Sequence, residues 1–132
     1  MRIVGLDYGE RRIGLAVSDE LGLTAQALEV YERRGRRKDL AYLAHKVREI
    51  GAELIVVGLP LNMNGTRGPS ASAAESFGWA LGRATGLPVV FIDERLTTVE
   101  AARGIRTMEV PRTRRRGVMD KTAAALILQG YL

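Results

Sequence analysis

Two short apolar runs separated by a helical pattern constrain the fold of this chain most strongly. Residues 54–58 read LIVVG and residues 88–92 read PVVFI. Each run is apolar at successive positions, as expected for a strand that is buried on both faces of a sheet. Apolar residues between the runs recur at helical spacing, so a helical crossover joins the two strands and makes them parallel. The chain is therefore predicted to be an α/β protein.

The first thirty residues predict a different arrangement of strands. Residues 2–7 form another apolar run, and a turn at residues 8–11 leads into a second strand at residues 12–18. So short a connection produces an antiparallel hairpin, and residues 24–30 predict a third strand in the same meander. The complete order is β-β-β-α-β-α-β-α-α. It corresponds to a five-stranded mixed sheet, an antiparallel meander plus two parallel strands, flanked by helices.

Helices are predicted where apolar residues recur every three or four positions. The first follows a basic segment, with Asp39 as its candidate N-cap. The third opens at Thr97 and Glu100, which have the spacing of a capping box. The last spans residues 118–131. The inward residues of the second and last helices are predicted to be Ala73, Ala74, Phe77, Leu81 and Ala84, and Ala123, Ala124, Ile127, Leu128 and Tyr131.

Length and composition narrow the class of protein. With 132 residues and no internal repeat or low-complexity tract, the chain is interpreted as one domain over residues 1–132. It has no cysteine, which excludes disulfides, thiolate metal sites and cysteine nucleophiles. No uncharged stretch is long enough to span a bilayer, and the first residues lack the features of a signal peptide. We therefore expect a cytoplasmic protein with no membrane partner.

Basic residues are concentrated in two segments of a chain whose formal net charge is +5. The first segment, residues 33–38, reads RRGRRK. The second contains Arg112, Arg114, Arg115 and Arg116, with Lys121 nearby. A guanidinium group bonds two phosphate oxygens at once, so such clusters favour a polyanionic partner, nucleic acid before membrane. Charge alone leaves open the alternative of two solvated, arginine-rich loops.

Acidic residues end two of the predicted parallel strands. Asp7 ends the first strand, and Asp93 and Glu94 end the last. Because parallel strands share one carboxyl edge, we expect these acids to meet at that edge. Neighbouring strand residues point to opposite faces, so Asp93 and Glu94 are not expected to act together. A third acid, Asp120, is spaced with the inward residues of the last helix, where a carboxylate needs a partner or an ion.

Three converging carboxylates predict a divalent metal site. Their charges repel one another, and a bound cation relieves that repulsion. All-oxygen ligation suits Mg²⁺ or Mn²⁺, and such ions activate water and stabilise the leaving oxygen in phosphodiester hydrolysis. The catalytic metal of a nuclease is therefore predicted to be held by Asp7, by an acid at the end of the last strand, Asp93 or Glu94, and by Asp120. Taken singly, each acid also fits a structural role, as a turn former, a strand end beside Arg95 and a helix N-terminal acid respectively.

Four segments resemble the signatures of one known family, the YqgF/RuvX family. They are residues 5–19 (GLDYGERRIGLAVSD), 57–66 (VGLPLNMNGT), 93–101 (DERLTTVEA) and 120–129 (DKTAAALILQ), in the order of the family. The resemblance implies a ribonuclease H-like fold related to Holliday-junction resolvases. It also implies a role in maturing the 5′ end of pre-16S ribosomal RNA, with Asp7, Glu94 and Asp120 as the acidic triad.

The same resemblance implies that Asn62, Asn64 and Thr66 lie beside the substrate phosphate. The charge of the second basic segment leads to a separate hypothesis, that a connector before Asp120 closes over bound nucleic acid. Its contacts would be Arg112, Arg114, Arg115, Arg116 and Lys121. RNA is favoured over branched DNA as the partner, bound by a monomer or weak homodimer. Two alternatives stay open: a Holliday-junction resolvase, which needs two active sites and hence a dimer, and a non-catalytic RNA-binding factor in ribosome assembly.

Overall fold

The computed structural model describes residues 1–96 and 123–132. The described residues contain two long helices, α1 (Arg36–Ile50) and α2 (Pro69–Thr85), and a short 3-10 turn, Glu94–Leu96. Residues 123–131 are also helical and are called the C-terminal helix below. The strands are β1 (Ile3–Tyr8), β2 (Arg12–Ser18), β3 (Ala25–Glu32), β4 (Leu54–Leu59) and β5 (Val89–Asp93).

The strands form one mixed sheet in the order β3-β2-β1-β4-β5. β2 pairs antiparallel with β1 and with β3, whereas β4 pairs parallel with β1 and with β5. The predicted meander with two added parallel strands is therefore confirmed. The turn that creates the meander is tight, because the backbone N–H of Gly9 donates to the carbonyl of Arg12 at 2.8 Å.

The two faces of the sheet are covered by different helices. On the first face, α1 and α2 pack Leu43, Val47, Phe77 and Leu81 against alternate strand residues such as Leu6. On the second face, the C-terminal helix packs against the other set of strand residues. Its buried side chains are Ala123, Ala124, Ile127 and Leu128, and the strand residues beneath them include Ile3, Ala16, Leu54 and Val56.

The predicted start of α1 is wrong. The helix begins at Arg36 with Gly35 as its N-cap, so Asp39 lies inside the first turn. The Asp39 carboxylate is fully buried and accepts hydrogen bonds from the backbone N–H of Arg34 at 2.8 Å and from Arg33 Nε at 3.0 Å. Because those donors belong to the chain before the helix, the carboxylate ties the β3–α1 connection to the core and does not cap the helix.

Three of the residues predicted to face inward from the second and last helices, Ala73, Ala84 and Tyr131, are exposed, so this part of the prediction is wrong. In α2 the inward side is rotated toward glycines, and a Cβ at Gly82 would lie 2.7 Å from Val89 Cγ2. These glycines let α2 lie directly on β5. The predicted third helix at Thr97 and Glu100, and the first residues of the predicted last helix, lie outside the described residues. None of the helices in the described part of the chain is long and apolar enough to cross a membrane.

Candidate active site at the carboxyl edge of the sheet

Asp7 and Glu94 lie at the carboxyl edge of the parallel strands. Asp7 is the penultimate residue of β1, and Glu94 directly follows β5. Both are buried, with exposed fractions of 8% and 2%. Both line one cleft of about 550 Å³. The structure therefore brings together two acids that are distant in sequence, because crossover connections return each parallel strand to the same edge.

Gly58 explains how Glu94 and the C-terminal helix fit against the same part of β4. A Cβ at Gly58 would lie 2.9 Å from Glu94 Oε1 and 2.5 Å from Ile127 Cδ1. Both distances are shorter than ordinary van der Waals contact. A similar approach occurs on β1, where a Cβ at Gly5 would lie 2.8 Å from Leu128 Cβ. Two strand glycines thus allow the second face to hold a helix and a buried carboxylate at close range.

Asp93 does not line the cleft although it is adjacent to Glu94. Its carboxylate accepts three hydrogen bonds from the Arg95 side chain, the shortest from Nη2 at 2.7 Å, and one from the Arg95 backbone N–H. Bonding by the Arg95 side chain is the main cause that lowers the pKa of Asp93 from its usual value, against an opposing effect of burial. Asp93 is therefore the structural, ion-paired acid of the two, as the alternation of strand side chains leads one to expect.

The loop between β4 and α2 is ordered by its own polar side chains. The hydroxyl of Thr66 donates to Asn64 Oδ1 at 2.6 Å and accepts from Asn62 Nδ2 at 3.0 Å. Arg95 Nη1 donates to the carbonyl of Met63 at 3.1 Å, which attaches the loop to the end of β5. The predicted phosphate-contacting residues are thus brought together in an exposed loop whose flanking residues, Pro60 and Pro69, line the cleft, although none of the three lines it.

Sequence reasoning did not single out several residues that line the cleft. Among them, Arg33 is a side chain of the first basic segment, and its guanidinium lies 4.6 Å from the centroid of the Tyr8 ring. The Tyr8 ring in turn contacts Phe77 in α2, with centroids 4.6 Å apart. The only signal in the sequence was the basic run itself. The remaining lining residues are Gly9, Glu10, Pro60, Pro69, Ser70 and Ala73.

Other predicted site residues lie outside the described residues. They are Asp120, Lys121, Arg112, Arg114, Arg115 and Arg116. Within residues 1–96 and 123–132, no three histidine or acidic side chains are grouped so that they could hold a metal ion. The described part of the site therefore offers two buried carboxylates, Asp7 and Glu94, as oxygen ligands of the kind that hard divalent cations prefer, with the exposed Glu10 at the margin of the cleft.

The sequence matches the family described as "RuvX: Holliday junction resolvase" over residues 1–132. It is 56% identical to a protein of Symbiobacterium thermophilum and 54% identical to one of Moorella thermoacetica, each over 132 residues. Those alignments cover 100% of this chain and 92% and 94% of the two relatives. Both relatives are named "Putative pre-16S rRNA nuclease".

Two solved resolvase structures share the fold. Thermus thermophilus RuvC, in complex with a Holliday-junction substrate, matches with a TM-score of 0.62 and 18% identity over 98% of this chain and 92% of that chain. The Holliday junction resolvase of fowlpox virus matches with a TM-score of 0.56 and 11% identity over the whole of both chains. These matches confirm the predicted ribonuclease H-like architecture.

Proposed function

The chain belongs to the RuvX family, and from this premise we propose that it is a single-domain nuclease that hydrolyses phosphodiester bonds in the 5′-end maturation of pre-16S rRNA. The observation that carries the proposal is the pair of buried carboxylates, Asp7 and Glu94, that line one cleft. A protein that only bound nucleic acid would gain nothing from acids in such a place, since they repel phosphate. In a nuclease the same acids hold the cations that act on phosphate.

A divalent cation fits this donor set. Asp7 and Glu94 supply oxygen ligands, and the missing side chain at Gly58 leaves space next to Glu94 Oε1. We take Mg²⁺ or Mn²⁺ as the ion, because both prefer carboxylate and water oxygens. Such an ion supplies Lewis-acid stabilisation of the phosphoryl and leaving oxygens. The protein's part is to hold the two carboxylates in a buried position, where their orientation does not change during the reaction.

Asp120 is proposed as the third ligand, on the basis of the direction of the C-terminal helix. Gln129, near the end of this helix, accepts from the backbone N–H of Ala25 at 3.1 Å and donates to the carbonyl of Leu23 at 3.4 Å. Ala25 starts β3 and pairs with Ser18, at the edge of the sheet opposite Asp7. The helix therefore runs away from the carboxyl edge, and the chain enters it from the side of the acids.

Two groups of residues are proposed to contact the nucleic acid. Asn62, Asn64 and Thr66 form an exposed loop that Arg95 attaches to the end of β5, and the loop lies between Pro60 and Pro69, which line the cleft. The basic connector contributes Arg112, Arg114, Arg115, Arg116 and Lys121, whose charge suits a phosphate backbone. We propose that the protein acts in the cytoplasm, on RNA in preference to branched DNA, as a monomer or weak homodimer.

The test is cleavage of a labelled, 5′-extended 16S precursor fragment with Mg²⁺, with Mn²⁺ and with chelator. The wild type is compared with Asp7→Asn, Glu94→Gln and Asp120→Asn. Glu53→Gln is the matched control, because Glu53 is an exposed acid before β4, at the opposite edge of the sheet. The proposal requires metal-dependent cutting that all three site variants reduce at least about 100-fold, with the control unchanged. Binding of the RNA without cutting under any metal would replace the nuclease with the assembly-factor alternative.

The description of the matched family favours a Holliday-junction resolvase as the second candidate. A resolvase cuts two strands in pairs, so it requires two copies of the site. The same preparations should therefore be assayed on a four-way DNA junction, with the oligomeric state measured by analytical ultracentrifugation. Paired cuts by a dimer, together with weak activity on the RNA, would establish the resolvase instead.

A further inference from the structure

Arg33 is the cationic side chain that the structure places in the lining of the cleft, among the residues described. It comes directly after β3, whereas the two buried acids of the cleft come from β1 and the end of β5. Its side chain retains 21% of its accessible surface. A cation facing the same cavity as two buried carboxylates is well placed to attract a phosphate that those carboxylates alone would repel.

A buried carboxylate fixes the position of this guanidinium. Asp39 Oδ2 accepts from Arg33 Nε at 3.0 Å, and Asp39 itself has no accessible surface. Burial alone raises the pKa of Asp39, but hydrogen bonds from the Arg34 backbone N–H, the Arg33 side chain and the Tyr31 hydroxyl together lower it below its usual value. Asp39 is therefore ionised at neutral pH and holds the Arg33 guanidinium through Nε.

The other contacts of Arg33 leave part of its donor set for a ligand. Nη1 donates to the carbonyls of Gly9 and Glu10 at 3.3 and 3.2 Å, in the turn that follows Asp7. Arg33 Cζ lies over the Tyr8 ring. A guanidinium has five N–H donors, and these bonds use Nε and Nη1. Nη2 makes no hydrogen bond with the described residues, and its donors are the ones left for a phosphate oxygen.

We propose that Arg33 binds a phosphate of the nucleic-acid backbone in the cleft, and that Asp39 is the residue that positions it. This inference rests on the proposed function, because it assigns a contact of the same substrate. The exposed Arg34, Arg37 and Lys38 follow Arg33 along the chain. In this proposal the nucleic-acid backbone therefore leaves the cleft over the start of α1. Arg33 gives the substrate a fixed position, and the exposed residues add charge without fixed geometry.

The experiment measures RNA binding in chelator, where the metal-dependent reaction is stopped, as a function of salt concentration. Fluorescence anisotropy of a labelled 5′-extended 16S precursor fragment is followed for wild type, Arg33→Gln and Arg33→Lys. Arg83→Gln is the matched control, an exposed arginine at the far end of α2. Arg33→Gln is expected to weaken binding about tenfold or more. It should also lower the slope of log affinity against log salt by about one.

Arg33→Lys should keep the salt slope and lose affinity. The positive charge remains, but lysine lacks the planar guanidinium group that Asp39 holds in a fixed orientation. Asp39→Asn should behave in the same way, because Arg33 keeps its charge but loses the carboxylate that positions it. Because removing one member of a buried pair can unfold the protein, thermal unfolding is recorded for each variant. The double variant Arg33→Gln/Asp39→Asn removes both charges and serves as the second test.

A folded Arg33→Gln protein, or folded double variant, that binds RNA with wild-type affinity and salt slope would overturn the proposal. Arg33 would then only hold the turn after Asp7. The result does not depend on cutting, since binding is measured without metal. A wild type that binds RNA through Arg33 but never cuts it would overturn the nuclease and leave this phosphate contact established.

Discussion

The two faces of the sheet are built from different kinds of residue. The first face is covered by large helix side chains, since Leu43 of α1 and Phe77 and Leu81 of α2 are completely buried against it. The second face has glycine in its strands, at Gly5 and Gly58, and the helix that covers it buries Ala123 and Ala124 beside Ile127 and Leu128. Both faces bury apolar side chains, but on the first face the close-approach glycines lie in helix α2, whereas on the second they lie in the strands, so that the helix and the Glu94 carboxylate approach the strand backbone directly.

The buried acids of the cleft belong to the second face. Strand alternation places Gly5 and Asp7 on the second face together, and Glu94 reaches the same face beside Gly58. A large side chain at Gly58 would fill the space that the Glu94 carboxylate occupies. The second face thus gives up apolar packing at the place where the acids are needed. We infer that substitutions on the first face act mainly on stability, and that substitutions on the second face act mainly on cleavage.

The largest expected effect on stability comes from Leu81→Ala on the first face. Leu81 is fully buried in α2, and truncating a buried leucine typically costs about 2–5 kcal/mol of unfolding free energy. Urea denaturation measures that loss. The folded fraction should still cut RNA at the wild-type rate, since Leu81 does not line the cleft. Reduced cleavage per folded molecule would contradict the separation of the two faces.

Gly58→Ala should cost less stability and far more activity. The added Cβ meets Ile127 Cδ1 at 2.5 Å and Glu94 Oε1 at 2.9 Å, so one of these groups must move. Overpacking of this kind costs about 1–3 kcal/mol. A shift of about 1 Å in a catalytic group lowers the rate by roughly 100-fold. Single-turnover cleavage and urea denaturation, measured on the same preparation, give the two effects.

Gly82→Ala is the matched control on the first face. Its Cβ meets Val89 Cγ2 at 2.7 Å, a comparable steric conflict that is remote from the cleft. Part of the destabilisation is offset by about 1 kcal/mol, because alanine favours a helix more than glycine does. Cleavage should be unchanged. Equal loss of activity in Gly58→Ala and Gly82→Ala would show that packing in general, and not the second face, controls the site.

The sheet could be predicted from the sequence because its determinants are local. Continuous apolar runs mark the buried strands, and the length of each connection decides between antiparallel and parallel pairing. The strand limits shifted by one or two residues, as at β3, which continues to Glu32. Asp39 was misinterpreted because an acid near a helix start looks like a cap in any local pattern. Its real partner, Arg33, precedes it in the connection from β3.

The candidate site could be predicted only where topology decides it. The meeting of Asp7 and Glu94 follows from the common edge of parallel strands. The contribution of Arg33 does not, because its contacts with Gly9 and Glu10 join segments that only the folded meander brings together. The role of Gly58 was equally hidden, since a glycine at a strand end does not reveal which neighbour approaches it.

The smallest expected effect comes from Asp93→Asn, compared with its neighbour Glu94→Gln. Asp93 forms an ion pair with Arg95 at the rim, so its loss should lower the unfolding free energy by no more than about 1 kcal/mol. Cleavage should persist in Asp93→Asn and fall sharply in Glu94→Gln. Because the two acids are adjacent in sequence, this pair of variants compares an acid outside the cleft with an acid inside it at almost the same place in the chain.

The contribution of Asp93 to stability should depend on pH. The folded-state pKa of Asp93 lies below its usual value of 3.8, mainly through bonding by the Arg95 side chain. The unfolded state therefore binds the proton more tightly, and the stabilisation is fully present above pH 3.8 and is lost as the pH falls through the lowered pKa. Urea denaturation of wild type and Asp93→Asn at neutral pH and at low pH should show a difference in stability that shrinks on acidification. A difference independent of pH would mean that Asp93 contributes through hydrogen bonds that do not depend on its charge.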